Sequence, residues 1–242
     1  MGIRLLLIHS PLTGCGVWDL VAAELRRAGY ETDTTDLSVA IGAGPSYCER
    51  LTRMIASSVG GRPAMLIGHS RAGPLLAAAA AMAGRDVLGC VFADARLPAP
   101  GQAWTDTLPP GYAARLRQMA HQEGWLPPWP QWWGQGEMTR LLPDPALRQA
   151  FTAGCPRLPL AMLEEIYPPA PRWRDGPAAY LQLSEPYDGE ATTARELGWP
   201  AATVMSHHLA MLTDAGQVAA ALHHLISQLH ARRATSRSAA SG

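Results

Sequence analysis

The sequence predicts an α/β fold in which a mainly parallel sheet is flanked by helices. Three observations carry this. Short apolar runs alternate along the chain with segments of helical spacing, a pattern that builds parallel strands joined by right-handed crossovers. Two of the runs, PAMLIGH (63–69) and VLGCVFA (87–93), are almost unbroken in their apolar character, as in strands buried on both faces. Between residues 96 and 177 the alternation stops, and 15 of the 21 prolines and six of the eight tryptophans crowd into that segment.

The run RLLLIH (4–9) ends in a turn-rich loop and gives the first strand, after which residues 17–28 show helical spacing until Gly29 stops them. Residues 31–37 alternate as a strand does, and 47–58 form a helix with Leu51, Met54 and Ile55 on one side. The strand 63–69 leads into an alanine-rich helix over 75–83 and then the strand 87–93. AYLQLS (179–184) and AATVM (201–205) are the last two strands, and residues 209–229 close the fold as a helix. The remainder, HARRATSRSAASG (230–242), is polar and small and is expected to be disordered.

The core therefore takes residues 1–95 and 178–229, with 96–177 as an insertion. A linker would be polar, whereas GWLPPWPQWWG supplies Trp125, Trp129, Trp132 and Trp133. These rigid apolar surfaces either complete a small core of the insertion or line a ligand pocket.

With 242 residues and 48% hydrophobic content, the chain can bury a full core. Its 20 basic and 20 acidic residues cancel and form no stripe or block, which argues against nucleic acid or an anionic membrane as partner and leaves a small-molecule substrate. Every basic residue is arginine, so Schiff-base chemistry, a lysine general base and a P-loop lysine are excluded. Cys15, Cys48, Cys90 and Cys155 lack C-x-x-C spacing and read as free thiols. No metal-ligand pattern accompanies the pair His223 and His224, and neither a metal nor an organic cofactor is expected. Residues 3–8 are too short for a signal peptide, and no run approaches the roughly 20 apolar residues of a membrane span, so a cytoplasmic protein is expected.

In a parallel sheet the ligand site lies beyond the carboxyl ends of the strands. Four such positions here are chemically loaded: the loop His9-Ser10-Pro11-Leu12, Ser70, Asp94, and SHHL (206–209). A serine hydroxyl is a weak nucleophile. It needs a histidine to take its proton, a carboxylate to orient that histidine, and N–H donors for the oxyanion. The sequence offers these parts in the order Ser, Asp, His. Ser70 lies in LIGHSRAG, where Gly68 is in place but Ala72 stands at the second glycine of G-x-S-x-G, with the glycine displaced to Gly73.

LLIHSPLTGCGVW, LIGHSRAG, VFADARLP and HHLAMLTD together resemble the α/β-hydrolase superfamily, most closely its compact esterase branch that also contains plant hydroxynitrile lyases. The resemblance spans nearly the whole chain. It implies a six-stranded sheet with a cap inserted after the fourth strand, and a carboxylic ester hydrolase acting on a small apolar ester, lactone or thioester. Ser70 is then the nucleophile and His208 the base, while His207 stands where a small residue is usual. The family usually draws its acid from the loop after the strand that follows the cap, which here reads LQLSEPYDG and lacks the customary G-x-x-D. Glu185 and Asp188 are candidates in that loop. Asp94 resembles the strand end from which haloalkane dehalogenases and some lipases supply their acid, and it is preferred.

Of the two oxyanion donors that the resemblance implies, one is the N–H of Arg71. The other belongs two places past the loop histidine, at Pro11, which has no N–H. Leu12, or the side chain of Thr13, is expected to replace it. Trp129, Trp132 and Trp133 are the expected substrate-binding residues. A lyase or cyclisation catalyst using Ser70 and His208 as a proton shuttle, and a small-molecule binding protein with little turnover, are the alternatives. Haloalkane dehalogenation is excluded because it needs a carboxylate where Ser70 stands.

Overall fold

Strands and helices alternate in the computed structural model, which describes residues 3–109 and 111–239. The first part of the chain runs β1 (Arg4–Ile8), α1 (Asp19–Arg27), β2 (Glu31–Thr35), α2 (Ser38–Ile41), α3 (Tyr47–Val59), β3 (Ala64–His69), α4 (Gly73–Ala83) and β4 (Val87–Ala93). An insertion follows, with α5 (Tyr112–Met119), β5 (Trp125–Leu126), α6 (Gln135–Leu141), α7 (Pro145–Gly154), β6 (Leu158–Pro159) and α8 (Leu160–Glu164). The chain then returns through β7 (Ala178–Gln182), α9 (Asp188–Glu196), β8 (Ala201–Thr203), α10 (Ala210–Thr213) and α11 (Ala215–Ala239).

Six strands form one parallel sheet in the order β2-β1-β3-β4-β7-β8, and β5 and β6 pair separately as an antiparallel ribbon. The apolar runs take the centre: every residue of β3 is buried, whereas the polar strand ETDTT of β2 lies at an edge. The chain steps from β1 outward to β2 and then returns past β1 to β3. Right-handed crossovers in opposite directions put their helices on opposite faces, so α1 packs with α11 on one side and α3 with α4 on the other. That reversal opens a crevice beyond the strand ends, between the loops after β1 and β3.

The insertion carries its own buried residues, among them Leu126, Trp132, Leu142 and Leu158. Two of its ties to the core lie at helix ends. Glu165 accepts from the backbone N–H groups of Tyr47 (3.0 Å) and Cys48 (2.8 Å), capping α3, whose own N-cap residue Ser46 makes no side-chain cap. Gly14 meets the end of α7 so closely that a Cβ there would lie 2.5 Å from the Gly154 carbonyl oxygen.

The structure corrects the sequence reading in three places. The last helix is broken at Asp214, whose carboxylate accepts from Ser206 Oγ and Thr213 Oγ1, each at 2.8 Å. The chain beyond His230 is helical to Ala239, because its alanines and arginines favour helix and because Arg232 and Arg233 donate to the carbonyls of Gly198 (2.9 Å) and Leu88 (3.1 Å). Helix α9 escaped notice because only Ala191 and Ala194 mark its buried face. No helix among the described residues is long and apolar enough to cross a membrane.

The turn from β3 into α4 explains the displaced glycine. A Cβ at Gly73 would lie 2.1 Å from the Arg96 carbonyl oxygen and 3.0 Å from the Ala95 Cβ, so this is where α4 crosses the end of β4. The same exit is fastened by the Arg96 N–H, which donates to the Ser70 carbonyl at 3.2 Å. Ala72 sits fully buried with ordinary helical backbone. Gly73→Ala is therefore expected to destabilise the fold by about 1–3 kcal/mol, the usual cost of overpacking. Ala72→Gly, which restores the consensus spelling, is expected to cost up to about 1 kcal/mol and to gain nothing. Denaturant midpoints check both, and a Gly73→Ala protein as stable as the parent would contradict the assignment.

Candidate active site

Ser70 follows β3 directly and has φ 57°, in the left-handed region that costs a non-glycine residue about 1–2 kcal/mol. The tight turn lifts the side chain off the end of the sheet and toward the loop after β8. There His208 Nε2 lies 3.0 Å from Ser70 Oγ, and His208 Nδ1 lies 2.7 Å from Asp94 Oδ2. Three strand ends thus contribute one hydrogen-bonded chain.

Asp94 ends β4 with φ 43° and is fully buried. Its Oδ1 accepts from the N–H groups of Leu183 (2.8 Å) and Ser184 (3.0 Å), and its Oδ2 accepts from Ser184 Oγ at 2.6 Å as well as from His208. Burial alone would raise the carboxyl pKa. The His208 hydrogen bond and charge, the Ser184 hydroxyl and the Leu183 N–H outweigh it and hold the group below its ordinary value. The alternatives from the β7 loop do not reach His208. Glu185 is exposed, and Asp188 accepts instead from Gln182 Nε2.

His208 is held from several sides. Its carbonyl oxygen accepts from His69 Nε2 at 2.9 Å, and the two imidazoles pack with centroids 4.4 Å apart. Burial, reinforced by neighbouring His208, drives the His69 pKa well down, so His69 stays neutral beside this hydrogen-bonded chain. His207 faces elsewhere, bonded to Thr213 Oγ1 (2.9 Å) and accepting from the Leu209 N–H (3.2 Å). His223 and His224 lie on α11 and bond Tyr30 and Gln228.

In the loop after β1 the expected donors are engaged locally. The Leu12 N–H donates to Ser10 Oγ at 3.2 Å, and Thr13 directs both its N–H (2.9 Å) and its hydroxyl (3.2 Å) at the Ser10 carbonyl. Ser10 shapes this turn: its hydroxyl engages the Leu12 N–H and its carbonyl engages Thr13. His9 is structural in the same loop: Nδ1–H donates to Ser10 O (2.7 Å), Nε2 accepts from the Leu37 N–H (2.9 Å), and burial lowers its pKa.

A polar group that the sequence reading missed stands near Ser70. Tyr187 lies with its hydroxyl 3.5 Å from Ser70 Oγ and its ring stacked on His208, centroids 5.0 Å apart and planes within 6°. Burial raises its phenol pKa to about 12, so it carries its proton at neutral pH. The signal was in the register: in SEPY, Tyr187 stands three places after Ser184, the spacing of the missing G-x-x-D.

The three tryptophans part company. Trp129 meets the His208 ring edge-on at 6.2 Å, whereas Trp132 is fully buried behind it, stacked on Trp104 at 5.9 Å. Trp133 packs on Tyr112 at 5.8 Å with an exposed edge. The Arg71 side chain lies beneath Trp104 and Tyr167, also from the insertion.

Solved structures share this architecture. An extracellular α/β-hydrolase from a Paenibacillus species, described as sharing structural and functional homology with tobacco salicylic acid binding protein 2, superimposes with a TM-score of 0.74 at 22% identity, covering 91% of this chain and 97% of that one. A pyrethroid hydrolase from Sphingobium faniae JZ-2 does so with a TM-score of 0.69 at 20% identity over 93% and 97% of the two chains. Polyneuridine aldehyde esterase gives 0.69 at 17% identity over 93% and 99%. No curated protein matches the sequence significantly. At such identities the likeness is one of fold, and the sequence itself supplies the rest: matched along residues 5–221, the chain belongs to the alpha/beta hydrolase family.

Proposed function

We propose that this protein is a serine hydrolase that cleaves a small carboxylic ester, thioester or lactone through Ser70, His208 and Asp94. The observation that supports it is the unbroken hydrogen-bonded chain from Asp94 through His208 to a Ser70 held on left-handed backbone. Ser70 Oγ forms a bond to the substrate carbonyl carbon while His208 Nε2 takes its proton. The tetrahedral intermediate then expels the leaving oxygen or sulfur, which receives that proton from His208. Water repeats the sequence on the acyl-enzyme, giving its proton to His208, and Ser70 regains a proton as the acid departs. Asp94 stays ionised throughout, accepting from Nδ1–H and stabilising the imidazolium.

The oxyanion takes the Arg71 N–H as one donor. With Pro11 lacking an N–H and Leu12 engaged by Ser10, the Tyr187 hydroxyl serves as the second. Residues 96–177 act as a cap. Ser70 is only 4% exposed, with Trp129 of the insertion against His208, so substrate entry requires the insertion to shift.

A fluorophosphonate probe is expected to label the native protein at Ser70 and to leave Ser70→Ala unlabelled. A panel of p-nitrophenyl esters is expected to show multiple turnovers. Labelling no stronger than in Ser70→Ala would sink the acyl-enzyme and favour the proton-shuttle lyase, and a single burst without turnover would favour a binding protein. Asp94→Asn is expected to lower kcat by about 10⁴, the effect of misorienting the base, while Glu185→Gln leaves it unchanged. Tyr187→Phe is expected to lower kcat by about 10²–10³ with little change in KM, the signature of a lost oxyanion donor. Steady-state kinetics decides both, and a Tyr187→Phe enzyme of parental kcat would remove Tyr187 from the oxyanion hole.

A further inference from the structure

Nine arginines among the described residues stand opposite acids, as Arg53 does with Glu49 and Arg62 with Glu31. Arg71 breaks the pattern. It is the buried arginine among the described residues, 7% exposed, and no described carboxylate lies within ion-pair distance of it. Its contacts are with neutral groups of the insertion. Nη2 donates to the Tyr167 hydroxyl, and the guanidinium carbon sits 3.8 Å over the Trp104 ring.

A guanidinium has five N–H donors in one plane, and Tyr167 takes one of them. Stacking on Trp104 occupies a face of that plane and leaves the edge, along which carboxylates bind in bidentate fashion. A buried cation is ordinarily retained with an anion opposite it. Here the described residues do not supply one.

The place where the anion is missing is beside the nucleophile. Arg71 follows Ser70 in sequence, and its charge bears on the Tyr187 phenol, whose hydroxyl lies 3.5 Å from Ser70 Oγ. Trp104 and Tyr167, which hold the guanidinium, also wall a cavity of about 520 Å³ together with Pro74, Arg96 and Pro186. Glu190, the acid in that wall, is already paired with Arg96.

We propose that the Arg71 guanidinium recognises a carboxylate carried by the substrate, so that the protein takes mono-anionic esters, of which half-esters of short dicarboxylic acids are the simplest. This replaces the purely apolar substrate expected from the tryptophans. Turnover of such esters rests on the serine hydrolase reading above, whereas binding of the anion does not.

The test compares monomethyl succinate, glutarate and adipate with methyl butyrate, pentanoate and hexanoate, each pair differing by a carboxylate in place of a methyl group. Calorimetry on the Ser70→Ala protein measures affinity without turnover. At least one half-ester is expected to bind about 10- to 100-fold more tightly than its neutral counterpart, the range for a hydrogen bond to a charged group. Adding Arg71→Met is expected to abolish that preference, and adding Arg71→Lys to retain part of it. Should Arg71→Met not fold, glutarate against glutaramide on the unaltered protein carries the same comparison, with tighter binding of the dicarboxylate expected. Equal affinity within all three pairs overturns the proposal, as does a charge preference that persists in Arg71→Met. Anion binding without ester turnover by the unaltered protein would instead overturn the hydrolase reading and leave the Arg71 site standing.

Discussion

The burial of the Asp94 carboxylate is the constraint on which the rest of the site depends. A fully buried anion is tolerable only if its oxygens are satisfied, and four donors from two segments converge on it: two backbone N–H groups and a hydroxyl from the loop after β7, and the His208 imidazole. Meeting that demand fixes the β7 loop against the end of β4. It also fixes which nitrogen of His208 carries the proton and so turns Nε2 toward Ser70. Both ends of the chain of hydrogen bonds are anchored by strained backbone, with Ser70 and Asp94 each at positive φ. The sheet absorbs that strain because β3 and β4 are its central pair and their carboxyl ends are packed under α4 at Gly73.

How much of this the sequence disclosed follows from which signals are local. Unbroken apolar runs located β3 and β4, because parallel strands covered on both faces have no polar side to show. Ser70 and His208 were legible from the strand or helix next to each, and Asp94 from its position at a strand end. The contacts that bring Asp94 and not Glu185 against His208 were not legible. They depend on where the Leu183 and Ser184 N–H groups point, which the register of β7 against β4 decides. The turn after β1 is similar: Leu12 has a free N–H on paper, and its engagement by the Ser10 hydroxyl, two residues back, is visible only in the folded loop.

The tryptophans show the limit of composition as a guide. Their crowding distinguishes residues 96–177 from a polar linker, but identical residue types three or four places apart have different surroundings. Trp129 reaches the His208 ring, while Trp132 supports Trp104 from behind and so acts on Arg71 through another ring. Spacing within a proline-broken segment does not predict such sides, because no regular helix or strand sets a period. The docking of the insertion is likewise set by groups far apart in sequence, Glu165 on the end of α3 and Gly154 against Gly14.

The two departures from the family pattern are coupled through one loop. A carboxylate in the loop after β7 would occupy the third place past Ser184 and face His208 from there. With His208 Nδ1 held by Asp94 at the end of β4, that place is open to Tyr187, whose ring stacks on the same imidazole and whose hydroxyl approaches Ser70 Oγ. Proline at position 11 removes a donor from the first loop, and tyrosine at position 187 adds one on the other side of the nucleophile. On the proposed mechanism, the relocation of the acid is therefore what makes the loss at Pro11 tolerable.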